Sequence, residues 1–198
     1  MNEPIYSQSL PRPINHYANV LTPDEWNTCQ ELLRRPMWQF GGRTVTGTVG
    51  EPHWYMELSG EAFFAETILS RINRIANTTF DISRIYANGQ TYGMDGQFHR
   101  DDNRNHAWTF LLYTTDIKPA ETEPHMLPHA VYQFGGATEF SLPGSVPEHV
   151  AGRRVVSFHP FPNTGLLFQA HLFHRGLSPA RYVTQLRTTV AFKLLERV

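Results

Sequence analysis

The 198-residue chain has one cysteine, Cys29, and a formal net charge of only −1. A single cysteine cannot close an internal disulfide, which fits a reducing cytoplasm. With 17 Lys and Arg set against 18 Asp and Glu, there is no global basic field, and a nucleic-acid partner is disfavoured. Local basic pairs exist at Arg34-Arg35 and Arg153-Arg154. No apolar run approaches the roughly 20 residues of a membrane-crossing helix, so no membrane partner is expected. The opening stretch MNEPIYSQSLPRP lacks the charged start and long apolar run of a signal peptide. Internal repeats, low-complexity tracts and obvious linkers are also lacking. The chain is therefore read as one domain, residues 1–198, long enough to bury a sizeable core.

Two helices are legible. In LTPDEW, Thr22 suits an N-cap, Pro23 the first helical position, and Glu25 completes a capping box. Trp26, Cys29, Leu32 and Leu33 follow at helical spacing, and Pro36 should end the helix near Arg35. A second helix is predicted from Ser59 to about Asn77, with Phe63, Phe64, Ile68, Ile72 and Ile75 on one face. From about residue 80 the pattern changes. FDISRIYAN, HAWTFLLYTT, RRVVSFHPF, TGLLFQA and TTVAFKLL are short β-rich runs separated by Gly, Pro and Asn. Helices followed by spaced strands predict an α+β chain, mainly β. The expected form is a double-sheet barrel, residues about 80–196, with helical support over about 20–77. Long connections remain at 41–52, 118–130 and 142–152, and loops of such length are often functional.

The chemistry centres on QFHRDDNRNHAWTFLLYTTD. His99 and Asp101 are two residues apart, which on a regular strand points both side chains to one face. A second histidine from a distant strand would complete a facial triad with coordination positions left open. By itself His-x-Asp is a weak signal.

Its context strengthens it. RIYANGQTY, HRD, WTFLLYTTD, GGATEF, PNTGLLF, HRGLSP and RTTVAF occur in an order that resembles the prolyl 4-hydroxylase-like branch of the 2-oxoglutarate/Fe(II) dioxygenases. The resemblance covers about the last three-fifths of the chain. It implies a double-stranded β-helix, or jelly roll, and an enzyme that uses Fe(II), 2-oxoglutarate and O2, with ascorbate as an optional reductant. Such an enzyme hydroxylates an unactivated C–H bond and releases succinate and CO2. The implied metal ligands are His99, Asp101 and His174. His171 is the rival distal histidine, and Asp102 the rival carboxylate. Related halogenases carry a small residue where Asp101 stands, so Asp101 implies hydroxylation. The implied 2-oxoglutarate anchors are Arg187 and Tyr113, with Thr109 lining the same pocket and Arg181 as the alternative cation. A cation is expected there because an unpaired carboxylate inside an apolar barrel is costly.

Tyr92 is read as an aromatic residue near the substrate. His16, His53, His106, His125, His129, His149 and His159 show no triad spacing. HMLPH could hold a second metal, but a solvated loop is the stronger reading. Trp38 and Trp54 are expected in the core, and Glu139 in a structural role. The implied substrate is a prolyl or other side chain of a peptide or protein. A free amino acid or small metabolite is the alternative, and a non-enzymatic cupin-like binding barrel is the alternative of a different class.

Overall fold

Thr22 starts the first helix as its sequence predicts. Its hydroxyl accepts from the Glu25 N–H at 3.3 Å, and Glu25 Oε2 accepts from the Thr22 N–H at 2.7 Å. The structure is a computed structural model that describes residues 14–42, 52–118, 124–142 and 154–197. Strand β1 (Ile14–Tyr17) precedes this helix, α1 (Pro23–Leu33), and β2 (Gln39–Gly42) and β3 (His53–Glu57) follow it. The expected second helix is a π-helical segment, Phe63–Ile68, running into α2 (Leu69–Ala76). Asn77 closes it in the left-handed conformation, φ 53°, which asparagine tolerates better than most residues.

The strands β4 (Phe80–Gln90), β5 (Ala107–Tyr113), β7 (Arg154–Phe158), β8 (Gly165–Gln169) and β10 (Arg187–Glu196) match the five β-rich runs, while β6 (Thr138–Leu142) and β9 (His174–Gly176) lie outside them. They form two antiparallel sheets. The large one runs β1-β8-β5-β10-β4-β3-β2 and the small one β7-β6-β9. This is a jelly roll with helices packed on one side.

Two cores follow from the strand alternation. On β5, Phe110 and Leu112 point outward, with Phe192 and Val190 of β10, to pack on Cys29, Leu33, Phe64, Ile68 and Ile72 of the helical layer. Leu111 and Tyr113 point inward, where they meet Phe140, Leu166 and Phe168 between the sheets. The inward positions of β10 are Arg187, Thr189, Ala191 and Lys193, and all four line a cavity. A strand that is apolar outside and carries two cations inside encloses something polar.

Several expectations need correction. No strand was foreseen before residue 80, yet β1, β2 and β3 extend the large sheet. These short segments take their strand character from their partners. The connection expected over 118–130 is partly helical: a 3-10 turn, Pro124–Met126, leads into α3 (Leu127–Phe134). HMLPH opens this helix, and His129 Nε2 lies 2.8 Å from Gln133 Nε2. Trp54 is exposed, at 36%, against Phe40 with ring centroids 5.2 Å apart. Trp38 packs on the outer core as expected. The readings made on residues 1–13, 43–51, 119–123 and 143–153, His149 and Arg153 included, lie outside the described residues. Among the described residues, no helix is long and apolar enough to cross a membrane.

Candidate metal centre and cosubstrate pocket

The HRD stretch is not the regular strand its spacing suggests. His99 forms an isolated antiparallel bridge with His174, so this segment is a rudimentary fourth strand of the small sheet. Gly96 N–H donates to Gly176 O at 2.8 Å, and Asp101 N–H to Ala170 O at 2.9 Å. These backbone bonds bring the three side chains together. Their ligand-type atoms all lie within 4.8 Å of one another. His99 Nε2 is 3.4 Å from Asp101 Oδ1, and His174 Nε2 is 3.4 Å from Asp101 Oδ2. Among the described residues this is the only such group of three or more.

Both imidazoles are oriented by the same device. Nδ1 of His99 lies 2.9 Å from Gln97 O, and Nδ1 of His174 lies 2.9 Å from Leu172 O. A carbonyl only accepts, so each Nδ1 carries a proton and each Nε2 is turned to the common centre. Metal-ligating histidines are held in this way. Burial pulls His174 down to about 4, so its ring is neutral near pH 7. Burial works against the charge on Asp101, but Lys193 and the two histidines outweigh it and hold the carboxyl well below its ordinary range. One face carries two imidazole nitrogens and one anionic oxygen, the donor set suited to a ferrous ion with open positions.

The rival residues lie elsewhere. Asp102 is engaged by Arg104, with Oδ1 and Oδ2 3.1 and 3.0 Å from Nε. His171 sits in the turn before β9 and does not line the cavity. Arg181 is exposed, and Tyr92 is 59% exposed; neither lines the cavity.

Arg187 is 2% exposed. Its Nε donates to Gly136 O at 2.6 Å, one terminal nitrogen donates to Gln90 Oε1 at 2.7 Å, and the other reaches Thr138 Oγ1 at 3.4 Å. None of these acceptors is anionic, so a buried cation sits without a carboxylate partner among the described residues. Burial pulls it down to about 10, still far above neutral pH. Tyr113 lies beside it, the guanidinium carbon 6.0 Å from the ring centroid. Burial pushes the Tyr113 phenol up to about 12, with Arg187 and Thr138 pulling the other way. The GGATEF turn serves this arrangement. Gly136 has φ 70°, and a Cβ there would fall 2.8 Å from Arg187 Cδ.

Thr109 shares the cavity wall, but its hydroxyl is turned to the metal side and donates to Asp101 Oδ2 at 2.6 Å. Glu139 pairs with Arg175 at 2.8 Å and joins β6 to β9. Three residues escaped the sequence reading: Gln90, Thr138 and Lys193. Lys193 Nζ contacts Asp101 Oδ2 and lies 3.5 Å from Thr109 Oγ1. Burial disfavours its charge, but Tyr86 and Asp101 more than compensate and raise its pKa. A signal was present: a lysine at an inward position of an otherwise apolar strand needs an anion. The cavity lined by the triad, Gln90, Thr109, Thr138, Arg187 and Lys193 has a volume of about 560 Å³.

Comparison with protein-family models gave no match, and comparison with curated protein sequences gave none either. Solved structures do match. A Pseudomonas putida prolyl-4-hydroxylase aligns at 14% identity and TM-score 0.61, covering 93% of each chain. A Trichoplax adhaerens prolyl hydroxylase, solved with a hypoxia inducible factor oxygen degradation domain peptide fragment, aligns at 13% identity and TM-score 0.62, covering 93% of this chain and 84% of its own. HygX from Streptomyces hygroscopicus, solved with nickel, 2-oxoglutarate and hygromycin B, aligns at 13% identity and TM-score 0.60, covering 92% of this chain and 82% of its own. This chain has the 2-oxoglutarate/Fe(II) oxygenase fold. The triad stands where the HRD segment meets β9, and Arg187 opens β10 in the same cavity.

Proposed function

We propose that the protein is a 2-oxoglutarate-dependent Fe(II) dioxygenase that hydroxylates an unactivated C–H bond. The observation that carries this reading is the pairing of two features in one cavity: the His99–Asp101–His174 cluster and the buried, carboxylate-free Arg187. A barrel that only bound a metal would have no need of the second. Iron(II) in such a centre couples oxidative decarboxylation of 2-oxoglutarate, which yields succinate and CO2, to insertion of the other O2 oxygen atom into a substrate C–H bond.

The chain's own residues position and exclude. His99, Asp101 and His174 would hold the metal on one face and leave the other open. Arg187 would receive the far carboxylate of 2-oxoglutarate, its guanidinium aimed by Gly136 O, Gln90 and Thr138. Tyr113 packs beside that guanidinium, and its hydroxyl donates to Phe158 O at 3.3 Å. Leu111, Phe168 and Ala191 line the wall and keep bulk water from the reacting atoms. At this level the reading covers a peptide or protein side chain as well as a small metabolite. The single buried Cys29 fits a cytoplasmic setting.

Succinate release measured over a panel of peptides and free amino acids is the test. Release should require iron, 2-oxoglutarate and O2, and should vanish in Asp101→Ala while the protein stays folded. Undiminished release from Asp101→Ala, or none from the native protein across the panel, contradicts the reading.

A further inference from the structure

Lys193 is a largely buried cation of the cavity that the proposed reaction does not use. Its ammonium lies on the Asp101 carboxylate, and among the described residues Asp101 is its only carboxylate partner. The side chain is 20% exposed and lines the cavity. Lys193 and Arg187 share the inward face of β10, six residues and thus roughly 20 Å of strand apart. They therefore address opposite ends of the cavity.

A charge balance over the loaded site, as the proposed function describes it, leaves a residue. A ferrous ion brings two positive charges to a cleft that already holds Arg187 and Lys193. Asp101 offers one negative charge, and 2-oxoglutarate offers two. One positive charge remains, and Asp101, turned to a dication, can no longer fully neutralise Lys193. The rim does not supply the missing anion. Its other acid, Asp102, is taken by Arg104, Arg84 is paired with Glu57 at 3.0 Å, and Arg100 adds positive charge there. An uncompensated ammonium in a mostly buried cleft is costly.

We propose that Lys193 receives an anionic group of the substrate, and that the substrate is therefore a small carboxylate-bearing molecule, such as a free amino acid, with no need of an internal peptide residue. This rests on the dioxygenase reading and deepens it.

The neighbouring strand β4 adds a second requirement. Asn88 Oδ1 is buried with no hydrogen-bond partner, and Asn88 lines the same cavity. 2-Oxoglutarate as a dianion has no donor to offer it. A substrate hydroxyl or amine would supply one. In the strand register Lys193 faces Arg84, and Asn88 is four residues further along β4. A molecule with an anion at one end and a donor several bonds away matches these two groups.

The experiment uses the iron- and 2-oxoglutarate-loaded protein under anaerobic conditions. The visible metal-to-cosubstrate band is recorded while the twenty free amino acids are titrated in, each compared with its C-terminal carboxamide. At least one acid should shift the band, and its amide should bind at least about tenfold more weakly, the loss expected when a charged hydrogen-bonded pair goes. Lys193→Met should keep the band and lose the acid's shift. Lys193→Arg should retain part of it.

Four results overturn the proposal: amides that bind as well as acids, no acid that binds, an undiminished shift in Lys193→Met, or loss of metal from Lys193→Met. The last would make Lys193 a support for Asp101 alone. The acid–amide comparison on native protein stands even if a variant fails to fold. Absence of any band in the native protein sinks the dioxygenase reading itself, a result distinct from a band that ignores carboxylates.

Discussion

His99 and His174 donate to each other's carbonyls, N–H to O at 3.0 Å in both directions. A hydrogen-bonded antiparallel pair places its two side chains on the same side of the sheet, and here the imidazole centroids come within 4.4 Å. The backbone thus sets the two nitrogen donors side by side before a metal arrives, and Asp101 joins them through its own backbone bond to Ala170.

A preformed site should bind metal without refolding. Mn(II) or Fe(II) should raise the thermal midpoint, by an amount equivalent to about 2.7 kcal/mol at a hundredfold excess over Kd, and leave the far-ultraviolet circular dichroism unchanged. His174→Ala should abolish the stabilisation. A large gain in secondary structure on metal addition would show that the bridge forms only with the ion.

Thr109 tests how Asp101 is held. Its hydroxyl donates to Asp101 Oδ2, and valine keeps the shape without the donor. Thr109→Val should weaken metal binding by roughly 10- to 100-fold, the usual cost of losing a partner behind a ligand, with little change in 2-oxoglutarate affinity once metal is saturating. Titration calorimetry with Mn(II) separates the two effects. An unchanged metal affinity would mean that Lys193 alone fixes the carboxylate.

Arg187 and Gly136 should fail in related ways. Arg187→Gln should raise the KM for 2-oxoglutarate by about 100-fold or more, as expected when one member of a buried charge pair is removed, and should affect kcat less. Arg187→Lys should recover part of the loss. Gly136→Ala, at φ 70° and with its Cβ 2.8 Å from Arg187 Cδ, should both destabilise the fold and raise the same KM. Steady-state kinetics with varied 2-oxoglutarate is the measurement, and a pure kcat effect in either variant would argue against a cosubstrate anchor here.

The metal-free protein should lose stability on mild acidification. Burial lowers the pKa of His16 and His159, so the folded chain binds fewer protons than the unfolded chain. Their contribution is complete above the ordinary histidine value of about 6.5 and is lost as pH falls from there through the lowered folded values. Thermal midpoints between about pH 7 and pH 5 should decline. A flat or rising profile would contradict the reading of both rings as partly buried and neutral.

Much of this was legible in the sequence, for identifiable physical reasons. The capping box at Thr22 and Glu25 is a local code and appeared where the sequence placed it. The strands at Phe80–Gln90 and Arg187–Glu196 carry their own β propensity. The glycines of GGATEF and PNTGLLF mark close approach: a Cβ at Gly165 would sit 2.3 Å from Phe110 Cζ. The strand β2, QFGG, has no such code, and pairing with β3 makes it a strand. The same-face argument for HRD borrowed strand geometry, but the segment's geometry comes from the bridge to His174, seventy-five positions away and invisible to local pattern. Lys193 was passed over because a lone lysine in an apolar run reads as a solvent-facing residue until β10 is paired on both sides, with β4 and β5.

The most direct test of the whole account is an anaerobic titration of the Fe(II)-loaded protein with 2-oxoglutarate, followed by visible absorption. The site described here predicts a weak charge-transfer band that saturates at one cosubstrate per iron and needs Arg187 to form at low concentration. Iron that binds at His99, Asp101 and His174 while no band develops would contradict it.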